Sequence, residues 1–342
     1  MAHHEPVESP DETTVFDYHD LTPPTVADVY RARRVVAEYL PRTPLVRSDA
    51  LSERFDADVY LKREDTLPTG AFKVRGGVTL AATLPEAFRE TGLTAASTGN
   101  HGQSVAYAGR LLDVPVRIGV PEDANPDKVA AMERLGATVD RHGADYDEAR
   151  EYVERLATEE GYRYVHSANE AKLVAGVATA GLEVVEDRPE VDYVFSPVGG
   201  GSSASGYCLT VGELADAAVV GVQSEAAPAA YEAWRDGHLE GHDRMGTAAE
   251  GLATRTPFAL TQRVMDERLD DMLLVEEAEI AAWVRRLLAE EHLVAEGASA
   301  AAFAGLEAMA DDVAGSTVVV PVTGRNVDLQ KLLGVLEATG SA

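Results

Sequence analysis

Cysteine is almost missing from this chain: Cys208 is the only one in 342 residues, so no internal disulfide can form and nothing points to an oxidising compartment. Lysine is nearly as scarce, confined to Lys62, Lys73, Lys128, Lys172 and Lys331. Positive charge of any kind is short, with 30 basic against 58 acidic residues and a formal charge of -28. Such a chain repels phosphate backbones and anionic lipid surfaces, which excludes nucleic acid as an expected partner. Long apolar runs are absent too, none approaching the roughly 18 residues that span a bilayer. The opening MAHHEPVESPDETTVFDYHDLTPP has neither the basic start nor the apolar stretch of a secretory signal. A cytoplasmic protein with no membrane association is therefore expected.

What remains is the composition of a soluble globular chain, 45% hydrophobic, long enough for one large or two moderate domains. The acid excess and lysine shortage resemble cytosolic proteins of salt-loving archaea. Self-repulsion among so many carboxylates implies a fold that salt stabilises.

Residues 1 to 24 are acidic and proline-bearing, and read as a loose arm or a segment that docks only on a partner. His3 and His4 read as solvated rather than as metal ligands. Thr25 is placed to cap a helix carrying Val26, Val29, Val36 and Leu40 at helical spacing until Pro41 stops it. Beyond it, short apolar runs predict strands at 59–61, 114–120, 162–165, 191–195, 219–222, 272–275 and 317–322. Between them, alanine-rich stretches of helical period lie at 126–135, 145–159 and 276–291. This alternation predicts an α/β fold with largely parallel sheets covered on both faces.

Three stretches carry chemistry. In YLKREDTLPTGAFKVRGG, Lys73 follows a turn built on Pro68 and Gly70 and stands between Phe72 and Val74. It is either a surface lysine or an amine held in a partly dry site. In the second case desolvation pulls its pKa down from about 10.4 and makes it nucleophilic. In ASTGNHGQSVAYAG, a strand runs into Ser97, Thr98, Gly99, Asn100 and His101 and then into a helix. Small hydroxyls and backbone amides at that place can seat a carboxylate, and Thr98 and Asn100 can equally be simple caps. His101 lacks the partners of a catalytic triad and reads as a helix-start or packing residue. In VDYVFSPVGGGSSASG, a buried strand opens into Gly199, Gly200, Gly201, Ser202 and Ser203. Consecutive glycines let backbone amides converge on a phosphate, and the serines add hydroxyls. A flexible turn is the plain alternative. Gly199, Gly201 and Ala204, with Glu225 downstream, also satisfy a relaxed dinucleotide fingerprint, which keeps a nicotinamide-dependent oxidoreductase open at this point.

Together with KRED at 62–65, AEGLA at 249–253, AEGASAAA at 295–302 and VPVTGRNVD at 320–328, these stretches in this order resemble the fold-type II pyridoxal 5'-phosphate enzymes. The likeness runs from about residue 25 to 335 and is greatest to the threonine/serine dehydratase and serine racemase branch. It implies two three-layer domains: a large cofactor domain from 1–68 and 168–342, and a small mobile domain from 69–167. By the same resemblance Lys73 is the lysine that binds the cofactor and later acts as base, and Phe72 lies against the cofactor. Asn100 bonds the ring hydroxyl oxygen, Gly199 to Ser203 bind the phosphate, and Thr323 faces the pyridine nitrogen. The Ser97–His101 loop takes the substrate carboxylate, Thr98 stands where racemases place a serine, and Glu296 matches a glutamate near the cofactor.

The implied reaction is β-elimination from L-threonine or L-serine to a 2-oxo acid and ammonia. Racemisation, threonine synthesis or another elimination are the alternatives with the same cofactor. Three positions depart from the pattern: Ala71 for a serine, Ser202 for a fourth glycine, and Gly176–Thr179 for Gly-Gln-Gly-Thr. Gln223 and Ala229 occupy the places of racemase metal carboxylates, so no metal is expected. The family implies a homodimer or homotetramer, and the end at Ala342 leads us to expect no added regulatory domain.

Overall fold

The computed structural model describes residues 6–7, 15–237, 239, 241 and 245–338. Among the described residues twelve strands occur in chain order: β1 Pro6–Val7, β2 Val15–Phe16, β3 Leu45–Arg47, β4 Asp58–Lys62, β5 Leu93–Ala96, β6 Val116–Val120, β7 Thr138–Arg141, β8 Arg163–Tyr164, β9 Tyr193–Pro197, β10 Ala218–Ser224, β11 Asp271–Val275 and β12 Thr317–Pro321. The chain divides into two compact units, one of residues 1–41, 73–179 and 258–261, the other of 42–72, 180–257 and 262–342. The class is α/β with mostly parallel sheets, as the alternation of strands and helices implied.

In the first unit, four strands lie in the order β7-β6-β5-β8, all parallel. The predicted helices over 126–135 and 145–159 are found at Pro126–Arg134 and Tyr146–Glu160. Thr25 caps Val26–Tyr39 as expected, its hydroxyl accepting from the Asp28 N–H. This unit takes in the N-terminal helix Val26–Tyr39.

β5 is the strand that runs into Ser97, and β7 is one that the sequence pattern does not announce. Leu-Thr-Ala-Ala of β5 is fully buried, so polar residues do not alternate in it. Thr-Val-Asp-Arg of β7 is a half-exposed edge strand with one strong β-former.

Part of the expected loose arm is also corrected. Residues 1–5 and 8–14, His3 and His4 among them, lie outside the described residues, but Val15–Phe16 pairs with Pro6–Val7. Phe16 has no exposed surface and packs with Val153, Leu156, Ala157 and Tyr164. An acidic, proline-bearing composition hid one aromatic cluster whose burial outweighs the entropy of fixing a few residues.

The second unit carries a sheet in the order β11-β10-β9-β12-β4-β3, parallel except for β3, which runs antiparallel to β4. Its core centres on Trp283, fully buried and stacked on Phe303, with ring centroids 5.6 Å apart. The helix Gly297–Ala308 is buried from Ala298 to Leu306, which explains why its sequence is apolar on every side. The KRED stretch ends β4 and serves this unit's interior. Lys62 is fully buried, its amine 2.6 Å from Glu183 Oε2 and donating to the Thr43 carbonyl at 2.9 Å. Arg63 forks onto both oxygens of Asp65 at 2.8 Å. A charge buried without such partners is very costly, so these acids and bases are bound to appear together. Among the described residues no helix is long and apolar enough to cross a membrane.

Candidate active site

Lys73 stands at the N-cap of the helix Val74–Ala82 in the first unit. Two glycines follow it because that helix lies hard against its neighbours: a Cβ on Gly77 would sit 2.2 Å from Ser104 Oγ. The same Ser104 hydroxyl donates to the Lys73 carbonyl at 2.7 Å, which fixes the backbone under the amine. The side chain is part-buried, and its Nζ donates to the Ser167 carbonyl at 3.0 Å. Burial pulls the amine down from 10.5 to about 8, and a neutral carbonyl offsets little of that. A lysine so placed is no surface residue. Its amine loses its proton nearer to neutral pH than an ordinary lysine does.

Ser97 to His101 follow β5, also in the first unit, with Ser97 to Asn100 partly exposed. The Gly99 N–H donates to Ser97 Oγ at 3.2 Å, and Gly99 caps the helix Asn100–Leu112. A Cβ on Gly99 would meet nothing within 4 Å, so the loop presents open space above its backbone. His101 is buried in the first turn, with Nε2 2.9 Å from the Val165 carbonyl. A carbonyl only accepts, so Nε2 carries the proton and Nδ1 is the bare acceptor. Burial, then the charge of Lys73, pushes His101 down to about 4, which keeps it neutral. This agrees with a packing residue at a helix start rather than an acid.

The remaining predicted residues belong to the second unit. The strand β9 passes into Val198–Gly201, and Gly201 takes φ +79° at the start of the helix Ser202–Tyr207. Gly199 is required by close approach, since a Cβ there would lie 2.0 Å from the Gly251 carbonyl oxygen in the AEGLA stretch. Ser203 accepts from the Ser196 hydroxyl at 2.9 Å. Phe72 donates its N–H to the Thr323 carbonyl at 2.9 Å, and the Asn326 amide donates to Thr69 O at 2.8 Å. The TGAF turn is thereby tied to the TGRN loop that follows β12. The buried Thr323 hydroxyl lies 2.9 Å from Ser299 Oγ. Glu296 crowds Gly324, where a Cβ would come within 2.5 Å of its Oε1. Gln223 is buried, and its Oε1 accepts from the Tyr231 N–H. Among the described residues no group of three or more His, Cys, Asp or Glu is set to hold a metal.

Two contributors went unread in the sequence. Ser167 acts through its backbone carbonyl, which any residue supplies, so no side-chain signal marks it. Ser299 did leave a trace, as the lone hydroxyl in the otherwise apolar Gly297–Phe303 stretch of a buried helix.

The donor set suits a phosphorylated aldehyde. Taken unit by unit, the first holds a part-buried amine of lowered pKa that suits an aldehyde, and the second holds a turn of backbone N–H groups and serine hydroxyls, with glycine where no Cβ fits, that suits a phosphate. Fold and residues define the class of lysine-dependent α/β enzymes that use such a group. The chain belongs to the pyridoxal-phosphate dependent enzyme family, whose model matches residues 36–324. It is 36% identical over 311 residues to an L-threonine ammonia-lyase of Thermotoga maritima, covering 90% of this chain and 77% of that one. Threonine deaminase isoform 2 of Solanum lycopersicum superposes with a TM-score of 0.88 at 27% identity, covering 99% of this chain and 97% of that one. Serine racemase of Dictyostelium discoideum gives 0.84 at 29% identity, covering 90% and 99%.

Proposed function

We propose that the chain eliminates water from a small β-hydroxy amino acid, L-threonine or L-serine, and that hydrolysis of the resulting imine takes that water back, for a net release of a 2-oxo acid and ammonia. The observation that carries this is the Lys73 amine, lowered to about 8 by burial and resting on a neutral carbonyl, in a chain of this family. When bound, pyridoxal phosphate supplies an aldehyde for the substrate amine and an electron sink for charge developing at Cα. Lys73 would hold that group through its amine and would use its lone pair to take the Cα proton of the substrate. The fall from 10.5 to about 8 raises the neutral fraction of the amine at neutral pH about 300-fold over an ordinary lysine.

The other roles follow the sequence resemblance. Gly199 to Ser203 would hold the phosphate through N–H groups and hydroxyls, and Asn100 would donate to the ring hydroxyl oxygen. Phe72 would lie against the ring, and Thr323 would offer a neutral hydroxyl to the pyridine nitrogen. Ser97 to His101 receive the substrate carboxylate. We also expect the enzyme to work in the cytoplasm as a dimer or tetramer.

Racemisation is the second reading, favoured by the hydroxyl of Thr98 and by the racemase likeness. Incubation with L-threonine and L-serine separates the two. The expected result is a 2-oxo acid from both and none from Lys73→Ala. D-Serine without 2-oxo acid transfers the assignment to a racemase, and a protein that takes up no cofactor refutes both.

A further inference from the structure

The segment carrying Ser167 is held by side chains from far away in the chain. His101 Nε2 lies 2.9 Å from the Val165 carbonyl, and Lys73 Nζ donates to Ser167 O at 3.0 Å. The third hold comes from the N-terminal strap. His19 Nδ1 accepts the Phe16 N–H at 3.1 Å, so the proton of this ring sits on Nε2. That N–H points at the Tyr164 carbonyl, 3.2 Å away, and at Glu170 Oε1, 3.1 Å away. Tyr164 stands three residues before Ser167 and Glu170 three after.

The surroundings hold the arrangement in place. Arg163 forks onto Glu170 with contacts of 2.6 and 3.0 Å, and its guanidinium lies over the Tyr18 ring, 4.1 Å from the centroid. The Tyr164 N–H donates to the Tyr18 hydroxyl at 2.9 Å. The His19 and Glu170 side chains are almost wholly buried, at 0% and 3% exposure. Burial alone raises the Glu170 carboxyl, yet Arg163 and His19 bring it down to about 2, so it stays an anion and a full acceptor. Nothing in the reaction proposed above uses these groups, and a buried ion pair of this kind is weak evidence for stability as such. Its registry role is the better explanation.

We propose that His19 is a positioning residue for Lys73: it grips the 163–170 segment on both sides of Ser167 and so sets where the carbonyl that receives the Lys73 amine lies. This rests on Lys73 being the reacting amine. Residues 15–20, which the sequence presented as part of a loose arm, are then a working part of the site.

The test uses the cofactor-loaded enzyme, comparing wild type with His19→Ala, His19→Gln and Tyr18→Phe for kcat, KM, cofactor absorbance and unfolding midpoint. Misplacing a reacting group by a fraction of an ångström to an ångström costs roughly ten- to hundredfold in rate. His19→Ala should therefore lose about that much in kcat with KM little changed, and shift the cofactor band. His19→Gln, whose amide nitrogen reaches the same place, should regain most of it. Wild-type kcat in folded His19→Ala overturns the proposal, as does a loss that follows the unfolding midpoint and is not rescued by glutamine. Should His19→Ala not fold, Tyr18→Phe releases the same segment, and an unchanged kcat there overturns it as well. A wild-type protein that takes up no cofactor fails the reading of Lys73 first, and is seen before any variant is compared.

Discussion

Replacing Lys73 by methionine should abolish activity and, at neutral pH, make the cofactor-free chain more stable. An amine that titrates at about 8 when folded and at 10.5 when unfolded penalises the fold while it is charged. At about 1.4 kcal/mol per pH unit, that difference sets a ceiling of about 3 kcal/mol, reduced because the side chain is only part-buried. Methionine matches the length and leaves the Ser167 carbonyl without its donor, which returns about 1 kcal/mol. A net gain of about 1–2 kcal/mol is expected.

The pH dependence gives the sharper signature. Below about pH 8 both states hold the proton and the folded chain bears the whole penalty. Between about 8 and 10.5 only the unfolded chain stays protonated, so wild-type stability climbs with pH toward that of the variant. Above that range the penalty is gone. Denaturant unfolding of both cofactor-free proteins at pH 7, 8.5 and 10 measures the gap. A variant no more stable than wild type at pH 7, or a gap that stays constant with pH, refutes desolvation as the origin of the reactive amine.

Three further outcomes concern single substitutions, and a fourth concerns salt. Gly199→Ala forces a Cβ to within 2.0 Å of the Gly251 carbonyl, where backbone cannot swing aside, and should lower stability by about 1–3 kcal/mol and weaken cofactor retention. Gly334→Ala, in open space inside the helix Leu329–Glu337, should be neutral or stabilising by up to about 1 kcal/mol. Ser299→Ala removes the hydroxyl that accepts from the Gly324 N–H at 2.9 Å and donates to its carbonyl at 3.0 Å. Its unfolding midpoint should fall by the equivalent of about 1–3 kcal/mol, and an unchanged midpoint contradicts the hydrogen-bond assignment. With a formal charge of -28, the wild-type midpoint should rise between dilute buffer and molar KCl, and a fall would remove the case for a salt-adapted surface.

Much of this was legible because its causes are local. Lys73 announces itself by scarcity and by the proline and glycine before it, and the 199–203 turn by consecutive glycines after a buried strand. Predicted strands such as 219–222 and 272–275 fell inside β10 and β11 because β-branched and long apolar residues cluster there. What stayed hidden depends on tertiary partners. β7 is half-exposed and too weakly patterned to look like a strand, and is one because β6 supplies its hydrogen bonds. Phe16, Tyr18 and His19 sit in an acidic stretch that predicts disorder, and residues far along the chain, Val153, Leu156, Arg163, Tyr164 and Glu170 among them, supply their burial. Ser167 is invisible in principle, because a carbonyl carries no residue identity.

The most direct measurement is borohydride reduction of the cofactor-loaded protein followed by peptide mass mapping. The chain has only five lysines, so the modified position is unambiguous. The pyridoxyl phosphate mass should be found on the peptide containing Lys73 and nowhere else. The same mass on Lys62, Lys128, Lys172 or Lys331, or on no lysine at all, would contradict the assignment of Lys73 as the reacting amine.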